Sequence, residues 1–369
     1  KTSDCPQIFD GEFDSKNDKF NASLKYNGGY TPTVALMANE LPDGTSIRFP
    51  RLDDVLTDQR GVERLDSTCM GAYELGCVND TTFTTDTIYV GEKILGQTFT
   101  KVGVHDSIFE TLKSSLDCDS VVMHRVVVKP DPKTFNYYVK MTKEGMGDGR
   151  DWDNAMDGTD FATYLPLAPD GAVFHVAAGT YKPVYDKELN VPEDSSKLTL
   201  FIQSGVTIKG GYPANATDEV ESNPELYKTI FESESIYKNR TSYPIFVVNL
   251  DGKNVTFDGL YIVHSCAGYG GVTFDAPNST IRFNKLYSTE NDGYILDGSG
   301  DNCQVIVENS FFYDNETRAI RLLGVKSLDI KNTSFRDNFG YEDYIFINSR
   351  DLKERKGSYV RIDSSSFYN

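Results

Sequence analysis

The sequence predicts an all-β chain: a right-handed parallel β-helix, or single-stranded solenoid, with an additional small β-sandwich-like domain. Three observations carry this expectation. First, an apolar-alternating string recurs as "VTFDGLYI" (Val255 to Ile262), "IRFNKLYS" (Ile281 to Ser288), "VIVENSFF" (Val305 to Phe312), "LDIKNTSF" (Leu328 to Phe335) and "VRIDSSSF" (Val360 to Phe367). Second, the equivalent positions Gly259, Lys285, Asn309 and Asn332 lie 26, 24 and 23 residues apart, about one solenoid coil each. Ser364 follows 32 residues later, as expected of a coil carrying a loop at "SRDLKERKG" (Ser349 to Gly357). Third, Gly, Asn, Asp, Ser and Thr are abundant while long helical patterns are scarce, which favours many short strands joined by turns.

Within each coil, alternation decides what is buried. Val305 and Val307 should point inward, and Ile306 and Glu308 outward. A small or amide residue then turns the chain, since Asn tolerates left-handed backbone angles and its side chain can hydrogen-bond along the stack. The next aromatic, Phe312 or Phe335, should return to the core and stack on its equivalent. "GVTIKGGY" (Gly205 to Tyr212) reads as an earlier coil, and residues 213–244 as a long surface excursion.

The chain divides by texture into three segments. Residues 1–77 are irregular. Residues 78–130 hold short β-rich runs broken at Gly91, Gly96 and Gly103, then two strand candidates, His105 to Leu112 and Asp119 to Val128. A stiff "KPDPK" linker leads into 134–369, with a helix expected at Asp160 to Leu167 and a first coil at "GAVFHVAAGTYKPV" (Gly171 to Val184).

Each segment also carries a resemblance. "TDQRG" (Thr57 to Gly61), Arg64 and "GAYE" (Gly71 to Glu74) resemble the segment that closes bacterial β-helix surface proteins. "GQTFT" (Gly96 to Thr100), Gly103 and "CDS" (Cys118 to Ser120) resemble a short β-sandwich repeat of secreted Bacteroidota proteins. "GMGDGRDWDNA" (Gly145 to Ala155) followed by "VAAGTY" (Val176 to Tyr181) is similar to the start of Bacteroidota β-helix domains, where a short helix covers the solenoid end. Trp152 is expected to pack under that helix, the alternative being a sugar platform. The resemblance implies an extracellular or outer-surface protein. Too few residues precede the closing segment to form coils, and the last coil has no cap, so a fragment of a larger chain is expected.

A formal net charge of −18 argues against nucleic acid as a partner, because phosphate binding needs clustered Lys and Arg. No apolar run is long enough to span a bilayer. The cysteines Cys5, Cys69, Cys77, Cys118, Cys266 and Cys303 form no C-x-x-C pair and stand apart from the four histidines, so no metal site is expected. No cofactor is expected either, although "GDGRDWDN" (Gly147 to Asn154) could bind calcium without the spacing of an EF-hand.

Three functional readings compete. Weak catalytic candidates are Asp292, Asp297 and Asp301, since a polysaccharide-degrading enzyme needs two carboxylates facing one groove. A lyase would need a calcium site of several carboxylates and an Arg or Lys base, for which Arg318 and Arg321 near Asp314 and Glu316 can be offered, the alternative being a solvated outer face. His264 with Cys266 offers a nucleophile pair only superficially. The favoured reading is a non-catalytic adhesion or binding protein whose solenoid face contacts extracellular glycans or host surface proteins. Tyr269, Tyr287, Tyr294 and Tyr313 are its candidate contacts, and a purely architectural spacer is the remaining alternative.

Overall fold

The computed structural model describes residues 9–27, 31–37, 48–50, 54–61, 63–64, 67–69, 81–113, 119–194, 197–217, 220–233, 244–265, 270–316, 319–338, 345–348 and 359–368. The chain forms two compact units, 1–86 with 106–125, and 87–105 with 126–369.

In the first unit the "TDQRG" string is a tight turn built around one carboxylate. Asp58 accepts from the backbone N–H of Arg60 at 2.7 Å and from its Nε at 2.9 Å. Gly61 takes the left-handed conformation (φ 87°) that closes the turn. The matching "GAYE" string lies outside the described residues. The segment after it supplies the additional β structure. Thr81–Tyr89, Gly103–Lys113 and Asp119–Lys129 form one sheet with Asp119–Lys129 central; the small hairpin in which Lys93–Ile94 pairs with Gln97–Thr98 belongs to the second unit.

The second unit is dominated by a right-handed parallel β-helix. Each coil contributes strands to three parallel sheets, here called faces A, B and C. Among the described residues, face A has eight strands, from Asn136–Val139 to Tyr359–Asp363. Face B has seven there, from Gly179–Tyr181 to Ser366–Tyr368, and face C six, from Leu200–Ile202 to Ile345–Asn348. The recurring sequence string spans face A, one corner and face B. Face C was not read from the sequence: its strand Leu296–Ser299 lies within the stretch that holds the catalytic candidates Asp292, Asp297 and Asp301. The supposed excursion 213–244 also contains a face B strand, Thr229–Glu232, whose Phe231 is fully buried.

Corners repeat as strictly as strands. Between faces A and B, Gly259, Lys285, Asn309, Asn332 and Ser364 all have φ between 47° and 71°. After face B, His264, Glu290, Asp314 and Asp337 do the same (φ 50–55°), and after face C so do Gly252, Asn278 and Asn302 (φ 54–66°). Only Gly adopts this region without steric cost, and Asn and Asp tolerate it best. Lys, Glu and His there show that the stacked strands impose the bend.

Because the turns align, each inward side chain meets its equivalent. Val305 and Val307 are fully buried as expected, and Phe312 stacks on Phe335 at 4.9 Å, which stacks on Phe367 at 4.8 Å. Each fully buried Phe contributes roughly 1.5–3 kcal/mol of transfer free energy. The ring of Phe274 fills the space where a Cβ of Gly298 would stand, which is why that coil has glycine on the inner side of face C. A polar ladder runs inside the turn after face B. Asn291 and Asn315 are fully buried; Asn291 donates to Asn315 Oδ1 at 2.9 Å, and Asn315 donates to Asn338 Oδ1 at 2.8 Å. Ser310 and Thr333 form a second, hydroxyl ladder past the first corner, each accepting the backbone N–H of the preceding coil.

The expected helix is present at Gly158–Tyr164, N-capped by Asp157, which accepts from the N–H groups of Thr159 and Asp160. Its Phe161 packs on Phe174 and Phe231, at the start of the solenoid core. Trp152 is a correction. It is buried, but not under the helix: it joins Ala177, Tyr212 and Ala216 in a separate cluster on the outer side of face A. Beside it, His175 lies between Tyr138 and Tyr212, held by Tyr212 OH at 2.9 Å and Asn136 Oδ1 at 3.0 Å. Burial, helped by Lys209, pushes the imidazole pKa from 6.5 down to about 4.

Two outcomes follow. Asn315→Ala removes both the donors and the acceptor that join two coils, so urea unfolding should show a loss of roughly 2–4 kcal/mol; an unchanged midpoint would contradict the ladder. For His175, the folded state resists protonation, so its contribution to stability is complete above the unfolded value of 6.5 and is lost as pH falls toward 4. The melting temperature of the native protein should therefore fall more steeply over that window than that of His175→Gln.

Candidate functional site on face B

Residues alternate along each face B strand, so those flanking an inward residue point to solvent. In Phe311–Tyr313 the middle residue Phe312 is buried, and Phe311 and Tyr313 are exposed. Register places Tyr261, Tyr287, Phe311 and Ser334 in one outward row, and Thr289, Tyr313 and Arg336 on the same side two residues further along. The first three rings form a stack: Tyr261 and Tyr287 are 4.5 Å apart and 8° from parallel, and Tyr287 and Phe311 are 5.3 Å apart and 9° from parallel. Such stacking adds about 0.5–1.5 kcal/mol per pair beyond burial.

The stack is covered at one end and open at the other. Lys228 Nζ lies 5.2 Å over the Tyr261 ring, a cation–π contact. Tyr261 is 6% exposed, Tyr287 9% and Phe311 41%. The next coil supplies Ser334 in place of a fourth ring, leaving one face of Phe311 uncovered. It opens into a cleft of about 660 Å³ lined by Phe311, Phe312, Tyr313, Asp314, Ser334, Arg336 and Asp337. A second cleft, of about 450 Å³, shares Phe311 and runs along the other edge of the stack past Pro224, Glu225, Lys285, Tyr287, Asn309 and Asn332.

The borders of this groove are polar. Along the corner between faces A and B, Asn309 Nδ2 donates to Asn284 Oδ1 at 2.9 Å and Asn332 Nδ2 to Asn309 Oδ1 at 3.3 Å. On the opposite border, Arg336 Nε donates to Asp337 Oδ2 at 2.8 Å. Burial pushes the Tyr261 phenol up to about 12, and burial with Glu225 nearby raises that of Tyr287, so both remain neutral hydroxyls at physiological pH. Aromatic edges, an open ring face, carboxamides and a few charges of both signs suit a ligand with hydroxyl groups and apolar C–H faces.

The predicted residues fall in different places. Tyr287 and Tyr313 both belong to this groove. Tyr294 precedes the face C strand Leu296–Ser299, and its ring lies 4.2 Å from the Arg321 guanidinium. Tyr269 lies outside the described residues. Phe311, Tyr261 and Arg336 were missed, although outward aromatics recur at 261, 287 and 311 with the coil spacing.

The three acidic candidates occupy three different places in one coil. Asp292 is exposed in the turn after face B, Asp301 is exposed in the turn after face C, and Asp297 sits in the face C strand between them. Asp297 is 6% exposed and held by Arg321 through two hydrogen bonds of 2.7 and 2.5 Å. Arg321 is thereby occupied as a partner, its guanidinium pKa raised by that carboxylate, and it stands on face C, away from Asp314 at the corner after face B. Arg318 and Cys266 lie outside the described residues. His264 bridges Glu232 at 3.4 Å and Glu290 at 3.0 Å, pairing carboxylates of the coils on either side. Burial pushes the Cys303 thiol up to about 12, which makes it a poor nucleophile. Among the described residues no group of three or more His, Cys, Asp or Glu side chains is arranged to hold a metal ion. No helix is long and apolar enough to cross a membrane.

Residues 204–363 match the family model described as a right handed beta helix region. Comparison with curated proteins and with solved structures returns no match. The matched stretch contains every strand of face B from Thr229–Glu232 to Ser334–Arg336, and so the whole groove.

The Asp297–Arg321 pair gives a direct check on its structural role. Arg321→Leu leaves a buried carboxylate unpaired and should cost about 3–5 kcal/mol, whereas the double change Asp297→Leu with Arg321→Leu should recover most of that loss. Chemical denaturation of the three proteins measures it; equal losses in the single and double variants would contradict the pairing.

Proposed function

We propose that this protein is a non-catalytic, secreted or surface-exposed glycan-binding protein that engages its ligand through face B. The observation that carries the reading is the interruption of the aromatic stack at Phe311, where Ser334 leaves a ring face open inside a cleft of about 660 Å³. A pyranose presents an apolar C–H face of ring size, and one placed there would continue the stack as its fourth rung. Its hydroxyls would meet Asp314, Asp337 and Arg336 at the rim. The mixed rim charges and the overall charge of −18 favour a neutral polysaccharide over an acidic one. The ion pairing of Asp297 with Arg321 supports binding without cleavage. The extracellular setting rests on the sequence resemblances to exported β-helix proteins.

Affinity electrophoresis through gels cast with neutral and acidic polysaccharides tests the reading. The native protein should be retarded in at least one neutral gel, with the polysaccharide intact. Phe311→Ala should weaken retardation about ten-fold or more. Ser334→Phe should do the same while melting no lower than the native protein, because it fills the cleft with the missing rung. Clearing of the polysaccharide around the band, or full retardation of both variants, would contradict the proposal.

A further inference from the structure

A second cavity lies over the first coils on the outer side of face A and shares no residue with the groove on face B. It measures about 390 Å³ and is lined by Tyr138, Asp151, Trp152, Asp153, His175, Tyr212 and Val220. Its floor is built deliberately. The strands Val173–Ala177 and Thr207–Tyr212 pair in regular register until His175↔Lys209 and resume at Ala177↔Tyr212, with one extra residue on the second strand. That bulge falls at Gly210–Gly211, where Gly211 has φ 85° and a Cβ on either glycine would come within 2.6 Å of backbone atoms. Bulges of this kind re-aim a side chain. Here it places Tyr212 beside His175 and against Trp152, 5.2 Å between ring centroids, while Tyr138 meets Trp152 at 4.9 Å.

The polar groups around this floor are unevenly used. His175 is fully engaged: Asn136 Oδ1 accepts from its Nε2–H, so Nδ1 accepts the Tyr212 hydroxyl proton. Asp151 Oδ1 accepts from the backbone N–H and Nδ2 of Asn154, and its other oxygen lies 3.6 Å from Arg150 Nε. Among the described residues, by contrast, the Trp152 indole N–H, the Tyr138 hydroxyl and the exposed Asp153 carboxylate make no hydrogen bond or ion pair. Neither the indole nor the phenol is sealed from solvent, since the described buried side-chain atoms without a partner are His124 Nε2 and Ser265 Oγ. The site therefore offers aromatic walls, two donors and two carboxylates.

We infer that this cavity binds one neutral sugar ring, its C–H face against the half-buried Tyr138, with the buried Trp152 behind it. Its hydroxyls donate to Asp153 and Asp151 and accept from the indole N–H and the Tyr138 hydroxyl. The volume is within the range of small-ligand sites, and the two carboxylates exclude a uronic acid by repulsion.

Trp152 is the only tryptophan in the chain, so its fluorescence reports on this cavity and not on face B. The native protein is titrated with the methyl glycosides of glucose, galactose, mannose and N-acetylglucosamine, and with galacturonate as the acidic control. A saturable emission change with at least one neutral glycoside and none with galacturonate is expected. Asp153→Ala should raise the half-saturating concentration about ten-fold or more, since a hydrogen bond to a charged acceptor is lost. Tyr138→Phe, which keeps the ring, should weaken binding less, and Phe311→Ala should leave the titration unchanged. Absence of a saturable change with all four glycosides overturns the inference, as does an equal response to galacturonate or an undiminished response in a folded Asp153→Ala. Because the gels read face B and the fluorescence reads this cavity, either site can fail alone.

Discussion

Everything in the solenoid depends on one constraint: successive coils must bend at the same places so that each side chain lands on its equivalent. The left-handed residues at the three corners meet it, and the register of the parallel strands follows from it. A residue of the wrong conformation at one corner would displace the whole next strand, and a shift of one residue exchanges inner and outer side chains. That is why Lys285, Glu290 and His264 occupy a backbone region that disfavours them. The cost is offset by the pairing on both sides of the corner.

Stacking like on like produces ladders of every chemistry. Inside, phenylalanines, asparagines and hydroxyls each form a column beside columns of mixed aliphatic residues, and the asparagine column satisfies buried polar groups that would otherwise cost folding energy. Outside, the same rule generates the Tyr261–Tyr287–Phe311 stack and the Asn284–Asn309–Asn332 chain. A continuous ladder is self-satisfied and presents only edges to solvent. A binding surface arises where a ladder stops, because the last rung keeps a face for something else. Ser334 makes that stop beside Phe311.

Legibility in the sequence follows from how local each device is. Face A and its corner could be read because apolar alternation and a turn-forming residue lie within eight consecutive positions, as in "VIVENSFF". Face C escaped because its strands are four residues or shorter and carry turn-like sequences such as "LDGS", whose glycine serves a phenylalanine from the preceding coil. Tyr287 and Tyr313 were chosen as exposed aromatics, but their common face depends on Phe311, whose outward aim depends in turn on Phe312 facing in. Asp297 could not be told from a catalytic acid, because its partner Arg321 is 24 residues away. The Trp152 cluster was hidden for a similar reason: the Gly210–Gly211 bulge acts on a side chain from a loop almost sixty residues earlier.

The central claim is that ligand contact lies at the open end of the face B stack. Hydroxyl-radical footprinting, with and without the neutral polysaccharide that retards the protein, tests it most directly. Phe311 and Tyr313, both exposed in the free protein, should lose reactivity on binding, while the exposed Tyr359, on face A, should keep its own. Unchanged reactivity at Phe311 under saturating polysaccharide, with protection elsewhere, would contradict the account.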